Sequence, residues 1–432
     1  MDTQNTPIHI KLWHRDFWRL CFANLLLMTS VCMLIIGIPY FMTIEGYRHW
    51  QIGVVVGAYV FGLFLLGGFC SYLLQRYRRN RVCLVSICCV AISLVALYYL
   101  ETFWNIKFGF GVLVATRVVQ GAFLGLAQMA LTSTLVIDTC ESFQRTEANY
   151  ITSWFARLSI ATGPIIAWLV DDFSDMHLIF PVASLLALGA FVLVSLVKFP
   201  FKAPSEHLPL FSYDRFFLPQ GIPLFINIVL ILIGAGMYFA IPHNLTVYLM
   251  FLSGLLMAIV AEKYVFADAD LKSQALVGLV LMGAAEFVSL NDQDFAVEVL
   301  VPLLLGMGIG VIGSRFLLFY IKLAKHCQRG TSTSSFFLAW EFGLSLGIAI
   351  GFMFLENAYK QVPGVNNVIF NPTVHEVLIP GMIFTGLSLV LYNFVVHPWF
   401  HCLLLINQII IGEMMATTEG LLRVDRIGET RL

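Results

Sequence analysis

Twelve apolar runs divide the chain, near residues 17–41, 50–74, 82–100, 108–138, 146–170, 177–199, 217–241, 246–266, 272–290, 297–325, 331–356 and 377–396. Each reaches or exceeds the roughly 17–25 residues that a helix needs to cross a bilayer, and no other property constrains the fold as tightly. Composition agrees: 59% of the 432 residues are hydrophobic, only 12% are charged, and the mean hydropathy is +0.85. No soluble fold needs that much apolar surface. The chain is therefore predicted to be an all-α polytopic membrane protein with 12 transmembrane helices. The even number returns the C-terminus to the side of the N-terminus.

Basic residues set the orientation. With the N-terminus inside, the cytoplasmic segments hold nineteen of the 25 Lys and Arg residues, including the run Arg76-Tyr77-Arg78-Arg79-Asn80-Arg81. The outer loops hold Arg48, Lys107 and Lys360, and Arg117, Arg157 and Arg315 lie within spans. Both termini are thus expected in the cytoplasm, and the protein in the cytoplasmic (inner) membrane. Lys11, His14, Arg15 and Arg19 precede a first apolar run too long for the core of a cleavable signal peptide. Nucleic acid is excluded as a partner, because the basic residues fall in short membrane-edge loops. All nine cysteines fall in spans or on the inner side, so neither a disulfide framework nor a metal-binding thiol cluster is expected.

The longest polar break runs from Lys198 to Leu218, contains Pro200, Pro204 and Pro209, and splits the spans six and six. The expected division is a cytoplasmic N-terminal segment 1–16, a six-helix bundle 17–199, a linker 200–216, a second bundle 217–396 and an interfacial tail 397–432. The chain repeats itself across the break. Phe22-Ala23-Asn24 opens a run ending at Pro39, and Phe225-Ile226-Asn227 opens one ending at Pro242, with fifteen residues from Asn to Pro in each. Arg145 is followed at twelve and eighteen residues by Arg157 and Gly163; Arg329 is followed at the same intervals by Glu341 and Gly347. These pairs lay span 1 on span 7 and span 5 on span 11, as a duplicated unit would.

A guanidinium in the middle of a hydrocarbon-length helix costs roughly 2.5–3.5 kcal/mol even on insertion scales. Arg117 meets that cost inside Arg117-Val118-Val119-Gln120-Gly121-Ala122-Phe123-Leu124-Gly125. Arg117, Gly121, Gly125, Gln128 and Thr132 share one helical face, small and polar, which suits a water-filled cavity or a close helix contact better than lipid. The pattern Arg-x-x-Gln-Gly-x-x-x-Gly on a fourth helix resembles the fourth-helix signature of the major facilitator superfamily. Gly163-Pro164 resembles the family's fifth-helix antiporter motif. The basic loop between spans 2 and 3 sits where the family carries Gly-x-x-x-Asp-Arg-x-Gly-Arg-Arg. Here the corresponding residues are Ser71, Gln75, Arg76, Arg78 and Arg79, so the acid has become Gln75 and both glycines are lost.

The resemblance implies two pseudo-symmetric six-helix bundles around a central cavity, and a secondary active transporter that moves a small organic solute by rocking one bundle against the other. Candidate substrate-facing residues are Arg117, Gln120, Gln128, Asn24, Asn227, Arg157 and Arg315. Gly121, Gly125, Gly163, Pro164, Arg76, Arg79 and Asp138 are candidate gating or structural positions. Plainer alternatives exist: Arg117 tied to backbone carbonyls of the first helix, and the two asparagines bonding neighbouring helices. Arg157 and Glu341 lie at equivalent depths, about 18 Å (twelve residues at roughly 1.5 Å each) from the inner basic residues. A carboxylate that deep is costly as a charge unless paired, which makes Glu341 the candidate proton carrier; a static pair with Arg315 is the alternative. Glu286, near the outer end of span 9, reads as structural.

The motif pattern is closest to drug/proton antiporters, which favours proton-coupled export slightly, although the first span lacks the mid-span acid of many such exporters. Three buried arginines against one mid-span carboxylate would leave the cavity positive, so uptake or exchange of an organic anion or zwitterion is the alternative. His397 and His401 flank Pro398 and, with Trp399, read as an interfacial helix rather than a metal site. No cofactor is expected, and a monomer is. An enzyme would need a convergent His/Asp/Glu or Ser/His set that these spans lack. A receptor or scaffold with a transporter fold is the remaining alternative from another class.

Overall fold

The computed structural model describes residues 11–103, 109–199, 208–290, 295–325, 328–355, 359–361, 368–370 and 374–403. The N-terminal ten residues, linker residues 200–207, Lys107, Cys327, the Lys360 side chain and the tail beyond Leu403 lie outside that description. Twelve helices among the described residues are long and apolar enough to cross a membrane. They are α1 (Arg15–Ile44), α2 (His49–Arg76), α3 (Arg79–Tyr99), α4 (Gly109–Asp138), α5 (Ser142–Phe173) and α6 (Met176–Ser195). The second six are α7 (Pro219–Ala240), α8 (Leu245–Tyr264), α9 (Leu271–Val288), α10 (Val297–Leu323), α11 (Arg329–Phe354) and α12 (His375–Leu403). A short antiparallel ribbon, β1 (Tyr359–Gln361) with β2 (Val368–Phe370), joins α11 to α12. The last helix runs on through Pro398, past the break near residue 396 that its sequence suggests.

Helix pairing follows the duplication. In the first set α1 packs on α5 and α6, α2 on α4, and α3 on α4 and α6. In the second α7 packs on α11 and α12, α8 on α10, and α9 on α10 and α12. Adding six to each helix of the first set gives the second. The bundles meet where α2 packs on α11 and where α5 packs on α8 and α10. Large apolar side chains such as Phe61, Leu185 and Ile383 are more than 60% exposed on the outer surface, where hydrocarbon replaces water as solvent.

Glycines allow the closest crossings. A Cβ on Gly121 would lie 1.8 Å from the Tyr59 carbonyl oxygen, and one on Gly62 would lie 2.0 Å from that of Val118, so α2 and α4 touch backbone to backbone. The repeat predicted by spacing is visible in two other glycines. Gly163 meets α1 at Cys32 and Met33, where α1 is interrupted, and Gly347 meets α7 at Ile233. The paired asparagines diverge, however. The Asn24 side-chain amide donates to the Thr152 carbonyl in α5 (3.0 Å), whereas that of Asn227 donates to the Ser388 carbonyl in α12 (3.0 Å).

Candidate functional site: a small cavity between the bundles

A cavity of about 30 Å³ lies between the bundles. That is room for one or two water molecules and not for an organic solute. From the first bundle it is lined by Asn24, Gln128, Thr132, Asn149, Thr152, Ser153, Ala156 and Arg157; from the second, by α11 alone, through Thr333, Phe336, Phe337, Trp340 and Glu341. Helical spacing explains the α11 set: positions 333, 336, 337, 340 and 341 recur every three or four residues and form one stripe.

Most cavity hydroxyls are satisfied by their own helices. Thr132 donates to the Gln128 carbonyl, Thr152 to that of Ala148 and Ser153 to that of Tyr150. Gln128 donates to the Asn24 side-chain oxygen (2.7 Å), tying α4 to α1. The other oxygen of this pair is not matched: Gln128 Oε1 is fully buried without a protein partner, as are both polar atoms of the Asn149 side chain. A buried unpaired polar atom costs about 1–3 kcal/mol, so the cavity wall is held ready for hydrogen bonds that the protein does not supply.

The charged residues are distributed as follows. Arg157, 1% exposed, donates to Ser153 on its own helix and across the bundle boundary to the Gly310 carbonyl (2.6 Å) and Ser314 Oγ (2.9 Å) of α10, with its guanidinium 3.9 Å over the Trp154 ring. Glu341 accepts from Tyr59 Oη of α2 (2.6 Å), and Ser345 donates to the same Tyr59 oxygen (2.6 Å). This chain therefore crosses from α11 to α2 and back. Arg315 pairs with Glu262 of α8 (3.4 Å), which also accepts from Tyr150 of α5.

Arg117 is buried beneath this layer and outside the cavity lining. It stacks 4.7 Å from the Tyr59 ring, donates to the Gln120 side chain, and reaches the Val55 and Val56 carbonyls of α2 at 3.4 and 3.3 Å. The family-signature residues thus build the α2–α4 crossing, with the tie running to α2 rather than to the first helix. Gln120 belongs to the same tie, and Asn227 and Arg315 are likewise absent from the lining.

Several readings of the charges change accordingly. Arg315 is the partner of Glu262, not of Glu341. Glu341 is not the only buried acid of the second bundle: Glu262 and Glu286, each near a span end, are 8% and 2% exposed. Glu286 accepts from Thr385 of α12 (2.8 Å) within the packing of α7, α9 and α12. The cavity is not net positive either, since it holds one guanidinium and one carboxylate.

The end of the molecule that carries Arg79, Arg145 and Arg329, here termed the basic end, holds a second, open cavity of about 230 Å³. Asp138 is bonded there by Arg79, within the first bundle, and Arg76 is exposed. The bundles are joined by the linker instead. Asp214 accepts from Ser71 of α2 (3.3 Å) and Thr331 of α11 (3.2 Å), and Arg215 donates to Thr134 of α4 (3.0 Å). Arg215 is the one non-glycine residue with positive φ among those described, at 60°, a conformation this clamp holds in place. A linker carboxylate thus sits beside Gln75, which itself bonds Ser71, at the position where the motif has lost its own acid. Burial and the neighbouring Arg79 lower the proton affinity of Arg215.

These features define a multi-pass membrane protein with a small cavity at the interface of its two bundles. Residues 20–348 match the family model of the Major Facilitator Superfamily, and the chain belongs to that family. Its fold is similar to that of the xylose transporter XylE from E. coli in an inward open conformation (TM-score 0.64, 15% identity, 88% of this chain and 95% of that one). It is also similar to the human organic anion transporter MFSD10 (TM-score 0.62, 13% identity, 88% and 98%). A bacterial homologue of the iron transporter ferroportin, in an outward-facing state, gives a TM-score of 0.60 at 13% identity over 89% and 99% of the two chains. Comparison with curated protein sequences gives no match.

Proposed function

We propose that this protein is a secondary transporter that carries a small organic solute by alternating access, with Glu341 binding and releasing the coupling proton. The observation that carries this reading is the Tyr59–Glu341 hydrogen bond, which joins the two bundles at the edge of the small cavity. Rocking α2 away from α11 breaks it. Glu341 then loses its phenol and faces the cavity it shares with Arg157. A carboxylate whose surroundings change between states changes its proton affinity, which couples the motion to a proton gradient. The reverse motion opens the basic end by parting the Asp214–Arg215 clamp from Thr331 and Thr134. Nineteen of 25 basic residues favour a cytoplasmic basic end in the inner membrane. The Arg117-Gln120-Gly121 and Gly163-Pro164 motifs favour export. Proteoliposomes carrying the purified monomer should accumulate solute when a pH gradient is imposed and not in its absence. Binding without any transmembrane flux would instead make the protein a receptor with a transporter fold.

A further inference from the structure

The open cavity at the basic end holds more positive charge than the bonds around it use. Its lining sets four guanidiniums, Arg79, Arg145, Arg215 and Arg329, against two carboxylates, Asp138 and Asp214, which leaves two positive charges. Both carboxylates are already held: Asp138 by Arg79, and Asp214 by Arg215 (3.7 Å), Ser71 and Thr331. Arg215 spends a further donor on Thr134, and burial together with the neighbouring Arg79 lowers its proton affinity. Arg145 and Arg329 are left over. Neither guanidinium has an ion pair or a hydrogen bond among the described residues, and Arg145 Nε is buried in that condition. A buried charged donor without an acceptor is costly.

We propose that this cavity binds a phosphate-type oxyanion, clasped by Arg145 of the first bundle and Arg329 of the second, independently of the solute carried. Its volume of about 230 Å³, against about 30 Å³ per water molecule, admits a phosphate with part of its hydration. At neutral pH a phosphate monoester carries roughly −1.5 to −2 charges and three strong acceptor oxygens, which matches the two unbalanced guanidiniums. Arginine forks bind such oxygens in pairs. Helix ends add to the field. Arg145 opens the α-helical part of α5 and Arg329 opens α11, and neither preceding glutamine side chain caps its helix. The same two arginines open the repeated pattern Arg145–Arg157–Gly163 and Arg329–Glu341–Gly347, so the duplication brings one arginine from each bundle to a single cavity. The first turn of α11 lies close against α4 there: a Cβ on Gly330 would stand 2.7 Å from the Ser133 carbonyl oxygen. An anion clasped from both sides adds a bond across the same seam as the Asp214–Arg215 clamp.

The test is the melting temperature of the full chain in detergent, titrated with inorganic phosphate against chloride at constant ionic strength. Phosphate should raise it saturably and chloride should not. Arg145→Gln and Arg329→Gln should each weaken the phosphate Kd roughly tenfold or more, as loss of a charged hydrogen bond does. Arg81→Gln, exposed at the same end and outside the lining, should leave that Kd unchanged. Should one cavity variant fail to fold, the other remains decisive. A parallel series in phosphatidylcholine nanodiscs, with and without phosphatidic acid, separates the two sources of the group. Phosphatidic acid active and free phosphate inert, with the effect lost in the cavity variants, would make the ligand a lipid headgroup in the same site. A shift that chloride reproduces, a shift that survives in folded Arg145→Gln and Arg329→Gln, or no shift from either phosphate source would overturn the site. Loss in only one of two folded variants would overturn the clasp between the bundles.

Discussion

Arg117 and Arg157 are both fully buried guanidiniums in the first bundle, yet they are used in different ways. Every partner of Arg117 belongs to its own bundle: Gln120 on the same helix, and Val55, Val56 and Tyr59 on α2. Arg157 reaches out of its bundle to Gly310 and Ser314 on α10 and lines the cavity. The cost of burying a charge is similar for both, so that cost cannot distinguish a brace from a working part. In the transport cycle proposed above, what distinguishes them is whether the partner moves relative to the arginine. Bonds within a bundle survive rocking, and bonds between bundles have to be exchanged.

The largest effect that would test this contrast is expected at the brace. Gly121→Ala would set a methyl group 1.8 Å from the Tyr59 carbonyl and force α2 off α4. Little monodisperse protein should survive detergent extraction, and a wild-type yield would mean that the crossing is looser than described. Arg117→Ala should follow, with a loss of about 1–3 kcal/mol of stability as Gln120 is left without its donor. Arg117→Lys should recover little, because an ammonium lacks the planar fork that reaches two carbonyls. In both variants, transport per folded molecule should be retained. Arg157→Ala should show the opposite pattern: a modest shift in melting temperature and at least a hundredfold loss of transport per folded molecule. Equal transport losses from folded Arg117→Ala and Arg157→Ala would dissolve the distinction.

The asparagines offer the same comparison at smaller scale. Asn24→Ala should reduce transport because Asn24 orients Gln128 in the cavity wall. Asn227→Ala should cost roughly 0.6–1.7 kcal/mol of stability, the range for one interhelical hydrogen bond in a membrane, and leave transport unchanged.

A pH-dependent effect is expected at the end remote from the basic face, where α5 meets the turn between α7 and α8. Trp168 donates to the His243 carbonyl there (3.1 Å), and the His243 ring stacks on Tyr238. Surrounding protein pushes the His243 imidazole down to about 4. The ordinary value is near 6.5, so the unfolded chain binds this proton more readily, and the contribution is complete above that pH. Stability should therefore fall as the pH drops from about 6.5 toward 4. Melting curves across that range should show the decline, and His243→Gln should remove part of it.

The twelve spans were legible in the sequence, because hydrocarbon length is a property of a segment by itself. The repeat in Arg145–Arg157–Gly163 and Arg329–Glu341–Gly347 also placed Arg157 and Glu341 at one depth, and both line the cavity. What could not be read were partnerships, which depend on how helices rotate about their axes. Tyr59 looked like one aromatic residue among many in an apolar run. Glu262 precedes Lys263 at a span end and resembled a membrane-edge acid, although a tyrosine and an arginine enclose it. Asn149 stands one turn from Arg145, near the expected inner surface, and nothing in its neighbours marked it as buried. The identical Asn–Pro spacing of Asn24 and Asn227 was real as a repeat and silent about function, since the two side chains turn to different neighbours.

The central claim is that Glu341, held by Tyr59 across the bundle boundary, couples the motion to protons. Glu341→Gln tests it most directly, because the amide keeps the shape of the protonated acid and cannot ionise. Transport should be measured in proteoliposomes in two modes, accumulation driven by a pH gradient and exchange of labelled for unlabelled solute at equilibrium. The account predicts that Glu341→Gln abolishes the first and preserves the second. Accumulation at the wild-type level by Glu341→Gln under the same pH gradient would contradict it.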